Sequence, residues 1–293
     1  MTSTPISRRN LTKAVGILAA AGGIMATTKI AQAQAQAPAA TAAAPTEATI
    51  ERVKRTKLLR VAAIPGAAPY FQKDPASGKW SGAAVDMATD IAKPFSAELE
   101  FVESTYPNSV LDLKVGRVDL AFALNPTAER SLSIAFTNAY YHPPFTFMAK
   151  EGFTGRKWAD SNKANVQVAS ILGSLSEKLA KRYLPLAQHT TYKTLDEAVL
   201  AFQAGRADCV ISAVLQALSV KSRNPTVKVV NVAESPKIAL QTSMGIRLEQ
   251  DLGWQNYLNG WVADNRLSGQ VMEWIVAELT KTGVTREDVP ADI

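Results

Sequence analysis

The stretch Asn125-Pro126-Thr127-Ala128-Glu129-Arg130 sets a strong cation beside two side chains that can hydrogen-bond. Arginine presents five donors in a planar fork that suits a carboxylate or another flat anion, and the Asn125 amide can donate as well. The apolar run before it, Val118 to Leu124, reads as a mostly buried strand. Thr127 then reads as the N-cap of a helix, which puts Arg130 in the first helical turn. A cation there opposes the helix dipole, at a cost of roughly 0.3–1 kcal/mol. Two explanations stand open: a surface arginine paired with a nearby carboxylate, or an anion held between Arg130 and the free N–H groups of that turn.

The elements that must place Arg130 follow a repeated plan. Gly116-Arg117-Val118-Asp119 recurs as Gly205-Arg206-Ala207-Asp208, each time after a helical stretch and before an apolar strand. The first helix is expected over Ser109 to Val115. The second is expected from the capping box Thr194-Leu195-Asp196-Glu197 to Ala204. Strands are expected at Leu58–Ile64, Leu99–Val102 and Val166–Ile171, with helices from Gly82 to Phe95 and from Ser174, where Ser174-Leu175-Ser176-Glu177 is a further capping box. Alternation of this kind predicts two α/β sheets, with ligands at the carboxyl ends of the strands. Thr127 and Ser174 both begin helices at such ends. Asp86, Asp119 and Asp208 read as braces for turns, and Cys209 as a small buried hydrophobe.

The N-terminus reads as an export signal: Ser7-Arg8-Arg9-Asn10-Leu11-Thr12-Lys13 precedes an apolar run from Ala14 to Ala26. The paired arginines resemble a twin-arginine signal, with Leu11 and Thr12 where that pattern prefers Phe and Leu. Small residues from Ala31 to Ala37 offer cleavage sites near Ala33–Ala37, which makes 1–37 the signal peptide and 38–50 an Ala/Pro tether. The apolar run is shorter than the ~20 residues of a spanning helix. Removing Arg8, Arg9, Lys13 and Lys29 lowers the 32 basic residues to 28 against 26 acidic ones, a net +2. The basic balance of the full chain therefore points to no nucleic-acid partner. Cys209 is the only cysteine and His142 and His189 the only histidines, so neither an internal disulfide nor a transition-metal site is expected, and no cofactor.

Seven short stretches, in order, resemble the bacterial solute-binding proteins of the polar amino acid uptake family (family 3 type). They are Leu59-Arg60-Val61 with Pro69-Tyr70-Phe71; Gly82 to Met87; Gly116 to Asp119; Thr127 to Arg130; Phe136 to Tyr141; Gly173-Ser174; and Gly205 to Asp208. The tail from Trp254 to Trp274, with Asn259, Trp261 and Gly269, is similar to the family's closing helices. The resemblance implies a two-lobed α/β periplasmic-binding-protein fold (type II), with two crossing strands as a hinge near Phe145–Lys150 and Ala239–Met244. Lobe 1 would be 51–147 plus 243–293 and lobe 2 would be 148–242. The implied function is a monomeric periplasmic protein, not an enzyme, that closes on a small carboxylate-bearing ligand and delivers it to an ABC transporter membrane permease. The implied ligand-binding set is Arg130, Asn125, Thr127, Gly173, Ser174, Leu175, Ala123, Tyr70 and Ala213, with Arg130 clamping the carboxylate.

Three positions depart from the family pattern. An aspartate that grips the α-amino group is replaced by Ala213, an acidic residue by Ile64, and a covering aromatic by Ala67. Together they suggest a ligand whose amine is absent, substituted or held differently. Tyr70, Phe71 and Tyr106 could wall the pocket or simply fill the core. Two further functions remain open: a periplasmic helper of a redox enzyme, which would also lose the amino-acid pocket, and a dehydratase-like enzyme. The latter needs a placed carboxylic acid, and Ile64, Ala67, Asn125 and Ala213 supply none.

Overall fold

The computed structural model describes residues 47–291; the expected signal segment and most of the tether lie outside the described residues. Helix α1 (Thr49–Thr56) begins inside the segment expected as tether, and β1 (Leu58–Ala63) follows it. A hairpin, β2 (Gln72–Lys73) and β3 (Trp80–Ser81), leads to α2 (Ala83–Ala92) and β4 (Glu98–Glu103). Then come α3 (Tyr106–Lys114), β5 (Leu120–Leu124), a single-turn α4 (Ala128–Ser131) and β6 (Ile134–Phe136). The chain next builds β7 (Phe145–Ala149), α5 (Trp158–Ser161), β8 (Gln167–Ile171), α6 (Leu175–Tyr183) and β9 (Gln188–Tyr192). After α7 (Leu195–Gln203), β10 (Cys209–Ala213), α8 (Val214–Arg223) and β11 (Val229–Val232), it returns with β12 (Ser243–Arg247), α9 (Gly253–Leu267) and α10 (Gln270–Thr280).

Two five-stranded mixed sheets result, in the orders β4-β1-β5-β12-β6 and β11-β7-β10-β8-β9. In each, four strands run parallel and one is antiparallel to them, β12 in the first sheet and β7 in the second. This is the two-lobed α/β architecture that the alternating pattern predicts. The segments that join the lobes pair with each other: Tyr140 N–H donates to Thr242 O at 2.9 Å and Leu240 N–H to Pro143 O at 2.8 Å. The first crossing lies earlier than expected, because β7 from Phe145 onward already pairs along its whole length with β10 and β11 of the second sheet.

The repeated Gly-Arg-x-Asp unit has the same job in both lobes. Thr105 caps α3 and Thr194 caps α7, each accepting from the N–H three residues on. Gly116 and Gly205 end those helices with φ of 68° and 74°, a region open to glycine. Asp119 then clasps the neighbouring parallel strand: its carboxylate accepts from Arg60 N–H at 2.8 Å while its own N–H donates to Arg60 O at 2.8 Å. Asp208 makes the same pair with Gln167, at 2.8 and 2.8 Å. These clasps fix where β5 and β10 start, and therefore where their carboxyl ends deliver Asn125 and Ala213.

Asp119 differs from its counterpart in what surrounds it. It is 2 % exposed and is held by the Arg52 guanidinium and by Arg60 Nη2 at 2.8 Å, and its carbonyl accepts from Trp254 Nε1 at 3.1 Å. The closing helices are moored to the first lobe in the same way: Trp261 Nε1 donates to Asp90 at 2.8 Å and Tyr257 OH to Ile91 O at 2.7 Å, and Trp261 stacks on Trp274 with ring centroids 6.0 Å apart. Removing one partner of a buried ion pair strands the other charge, so Asp119→Ala is expected to lower the urea-unfolding free energy by about 3–5 kcal/mol. Asp208→Ala, at the exposed equivalent, should cost about 1 kcal/mol.

Candidate functional site

The carboxyl ends of β5, β8 and β10 face a narrow cleft between the lobes, with about 30 Å³ open inside it. Arg130, Asn125 and Ala123 reach it from the first lobe, with Tyr70 from the loop after β1. Ser174 and Leu175 at the start of α6 and Ala213 at the end of β10 come from the second. Seven expected residues thus line one cleft, four from the first lobe and three from the second. Thr127 and Gly173 do not: both line a separate groove outside the cleft, into which Arg130, Ser174 and Leu175 also reach. The Thr127 hydroxyl is occupied as a cap, accepting from Arg130 N–H at 3.2 Å. Ile64 and Ala67, expected to face the ligand, are buried in a hydrophobic core that draws on both lobes and do not line the cleft.

Arg130 joins the lobes. Its Nη1 donates to Asn125 O at 2.8 Å in its own lobe and its Nη2 to Gly173 O at 2.9 Å in the other. Burial lowers its pKa from the ordinary arginine value, and the facing Tyr106 and Glu129 oppose that shift, so the guanidinium remains charged. The conflict with a helix dipole expected for this residue is small, because α4 is one turn long and sums few peptide dipoles. What holds Arg130 is the pair of carbonyls and not a nearby carboxylate. Asn125 was expected to offer its amide to the ligand, yet Nδ2 donates to Gln241 O at 3.2 Å on the returning hinge segment.

Local backbone geometry aims the wall. Ala123 has φ of 54°, an uncommon conformation for a residue with a Cβ, beside a shift in the β5–β12 register, and its N–H donates to Tyr140 OH at 2.9 Å. Across the cleft, Ser174 caps α6 by accepting from Glu177 N–H at 3.3 Å, and the Glu177 carboxylate accepts from Gly173 N–H at 2.6 Å. The reciprocal arm of this box thus falls one residue before the cap and fixes the turn that presents Gly173 O to Arg130. Tyr70 and Tyr106 line the cleft, whereas Phe71 is core, edge-on to Trp80 and Phe122.

Sequence reasoning missed Tyr141, Phe145, Ile171, Ser176, Gln216, Leu240 and Thr242 on the same wall. Tyr141, Leu240 and Thr242 sit in the hinge segments, whose pairing no local pattern announces. Gln216 had a legible signal: it lies three residues past Ala213, and one helical turn brings it to the same face. The hydroxyls of Tyr70 and Tyr141 hydrogen-bond each other, and burial pushes both phenols well above their ordinary pKa. Tyr106 is raised by burial too, with the Gln216 amide opposing. All three are neutral near pH 7. Among the described residues, no group of histidine, cysteine and acidic side chains is arranged to hold a metal ion, and no helix is long and apolar enough to cross a membrane. Burial raises the Cys209 thiol to about 12, away from the cleft wall.

The model of the bacterial extracellular solute-binding proteins, family 3, matches residues 59–274. The chain belongs to this family. Curated relatives include a probable histidine-binding protein of Campylobacter jejuni, 30% identical over 54% of this chain and 60% of its own length. An L-arginine-binding protein of Pseudomonas aeruginosa is 29% identical over 51% of this chain and 58% of its own length, so the chain spans about three fifths of these relatives. Among solved structures, an ancestral amino acid-binding protein described as a precursor of cyclohexadienyl dehydratase superposes with a TM-score of 0.69 at 26% identity, over 78% of this chain and 100% of its own. An amino acid transporter binding protein of Streptococcus pneumoniae, bound to L-arginine, gives 0.72 at 21% identity, over 79% and 98%. The latter supports the fold alone.

Gly173 sits where the lobes press together. Its φ is 68°, and a Cβ placed on it would lie 2.4 Å from Pro107 Cγ of the first lobe. Gly173→Ala is therefore expected to hold the lobes apart, reading as a larger radius of gyration in small-angle scattering than the parent chain. An unchanged scattering curve would show that the contact does not govern closure.

Proposed function

We propose that this protein is an extracytoplasmic solute-binding protein that closes its two lobes on a small carboxylate-bearing solute, amino acid or amino-acid-like, and delivers it to an ABC transporter permease. The observation that carries this reading is the Arg130 guanidinium, set in the inter-lobe cleft and tied to a carbonyl of each lobe. A carboxylate there would take its remaining donors and share in the contact that joins the lobes. Family membership and the relatives named for histidine and arginine binding support the same class. Binding is favoured over catalysis by the lining itself: among the described residues, no carboxyl, imidazole or thiol lines the cleft to act as acid, base or nucleophile.

In this reading the ligand contacts come from Arg130, Asn125, Ala123 and Tyr70 on one side and from Ser174, Leu175 and Ala213 on the other. Thr127 and Gly173 act behind them, as cap and as anchor. The lobes divide near residues 140–145 and 238–243, and motion about these paired segments opens and shuts the cleft. The protein works as a monomer in the periplasm and needs no nucleic acid or cofactor.

The test is binding with and without the guanidinium. A thermal-shift panel of common amino acids and of carboxylates lacking an amine identifies binders, and calorimetry measures them. Arg130→Ala is expected to weaken each by roughly 1.5–3 kcal/mol, the value of a hydrogen bond to a charged group. Equal affinity in the variant would remove Arg130 from the site. Export is proposed to follow the twin-arginine route, so Arg8→Lys combined with Arg9→Lys should leave the precursor in the cytoplasm. Normal periplasmic accumulation of that double variant would assign the general secretory route.

A further inference from the structure

The charges and donors on the cleft wall are one-sided. Arg130 is the only charged side chain among the described residues that line it, and three tyrosines and two serines are the hydroxyl groups beside Thr242. Among the described residues, no carboxylate lines the cleft to receive a cation. The rest of the wall includes Phe145, Ile171 and Leu240, each at most 5 % exposed. An ammonium placed here would give up most of its hydration without a counter-charge, which opposes its binding. This applies equally to an α-ammonium and to the cationic side chain of arginine or lysine.

The second lobe adds donors where such an ammonium would need acceptors. Helix α8 starts at the cleft with Ala213 as its N-cap, and no side chain caps it. Thr105, Ser174 and Thr194 cap α3, α6 and α7. The first turn of α8 therefore carries its positive partial charge toward the cleft without a side-chain acceptor. Gln216, the third residue of this helix, lines the cleft, is 6 % exposed, and its buried amide faces the Tyr106 phenol, with Nε2 making no well-formed hydrogen bond. A buried donor without a well-formed bond is destabilising, so the site gains when a ligand supplies an acceptor.

We infer that the solute is a small apolar 2-oxo or 2-hydroxy carboxylate: the carboxylate lies on Arg130, the oxygen on C2 accepts from Gln216 Nε2 near the start of α8, and an aliphatic side chain fills the Phe145–Leu240 wall. This rests on the proposed role of Arg130 as the carboxylate clamp. Gln216 and Ala213 set the selectivity, because together they replace an acceptor for nitrogen by a donor for oxygen.

Matched pairs test it by calorimetry on the exported chain: pyruvate with L-alanine, 3-methyl-2-oxobutanoate with L-valine, and 4-methyl-2-oxopentanoate with L-leucine, together with the 2-hydroxy analogue of each. In at least one series the 2-oxo or 2-hydroxy acid is expected to bind ten-fold or more tightly than the amino acid. Gln216→Leu should erase that preference, and Ala213→Asp should move it toward the amino acid; thermal midpoints report that both variants fold. The inference is overturned if every amino acid binds as well as or better than its partners, or if no 2-oxo or 2-hydroxy acid binds. If amino acids bind and Arg130→Ala abolishes it, the function stands and only the ligand class fails. If the oxo acids bind unchanged in Arg130→Ala, the clamp itself is wrong.

Discussion

The structure depends on one half-buried cation whose hydrogen bonds belong to two lobes. Arg130 projects from α4, just beyond β5, satisfies part of its fork on Asn125 O, and spends another donor on Gly173 O across the cleft. Taking a guanidinium out of water is expensive, and two carbonyl dipoles offset only part of that cost. An anion completes the arrangement. Closing and binding thus become a single equilibrium, because the same group serves both, and a ligand shifts it by as much as it prefers the closed lobes.

Everything that fixes Arg130 and its opposite wall is simple covalent and hydrogen-bond bookkeeping repeated twice. Asp119 and Asp208 each clasp a parallel neighbour with a matched pair of hydrogen bonds, so β5 and β10 end at defined heights. Thr127 and Ser174 cap the turns that follow β5 and β8. The two hinge segments pair with each other between these ends, at Tyr141 with Thr242 and Pro144 with Ala239. The first lobe carries additional moorings, the Asp119–Arg52–Arg60 cluster and the tryptophans of the closing helices, which make it the firmer frame.

Much of this was legible in the sequence because it is local. The Gly-Arg-x-Asp repeat, the Thr and Ser caps and the apolar strands follow from spacing, and Arg130 stood out as a cation in an awkward place. Long-range pairing was not legible. Asn125 turned to Gln241 O, a partner more than a hundred residues away, and no periodicity reports that contact. Ile64 and Ala67 went into the core because the loop after β1 folds inward at Tyr70, which reaches the cleft in their stead. Thr127 and Gly173 kept the positions expected of them but present their backbone turns to the outer groove, since their local hydrogen bonds were already committed.

The account is tested most directly by the distance between the lobes. Spin labels at the exposed positions Leu132 and Leu186, one in each lobe and both away from the cleft wall, report it by pulsed electron resonance. With a binding carboxylate added, the distance distribution should shorten and narrow, and Arg130→Ala should leave the broader distribution in place at the same carboxylate concentration. A distribution that ignores the bound carboxylate, or one that closes equally in the variant, would contradict the claim that a single arginine couples binding to closure.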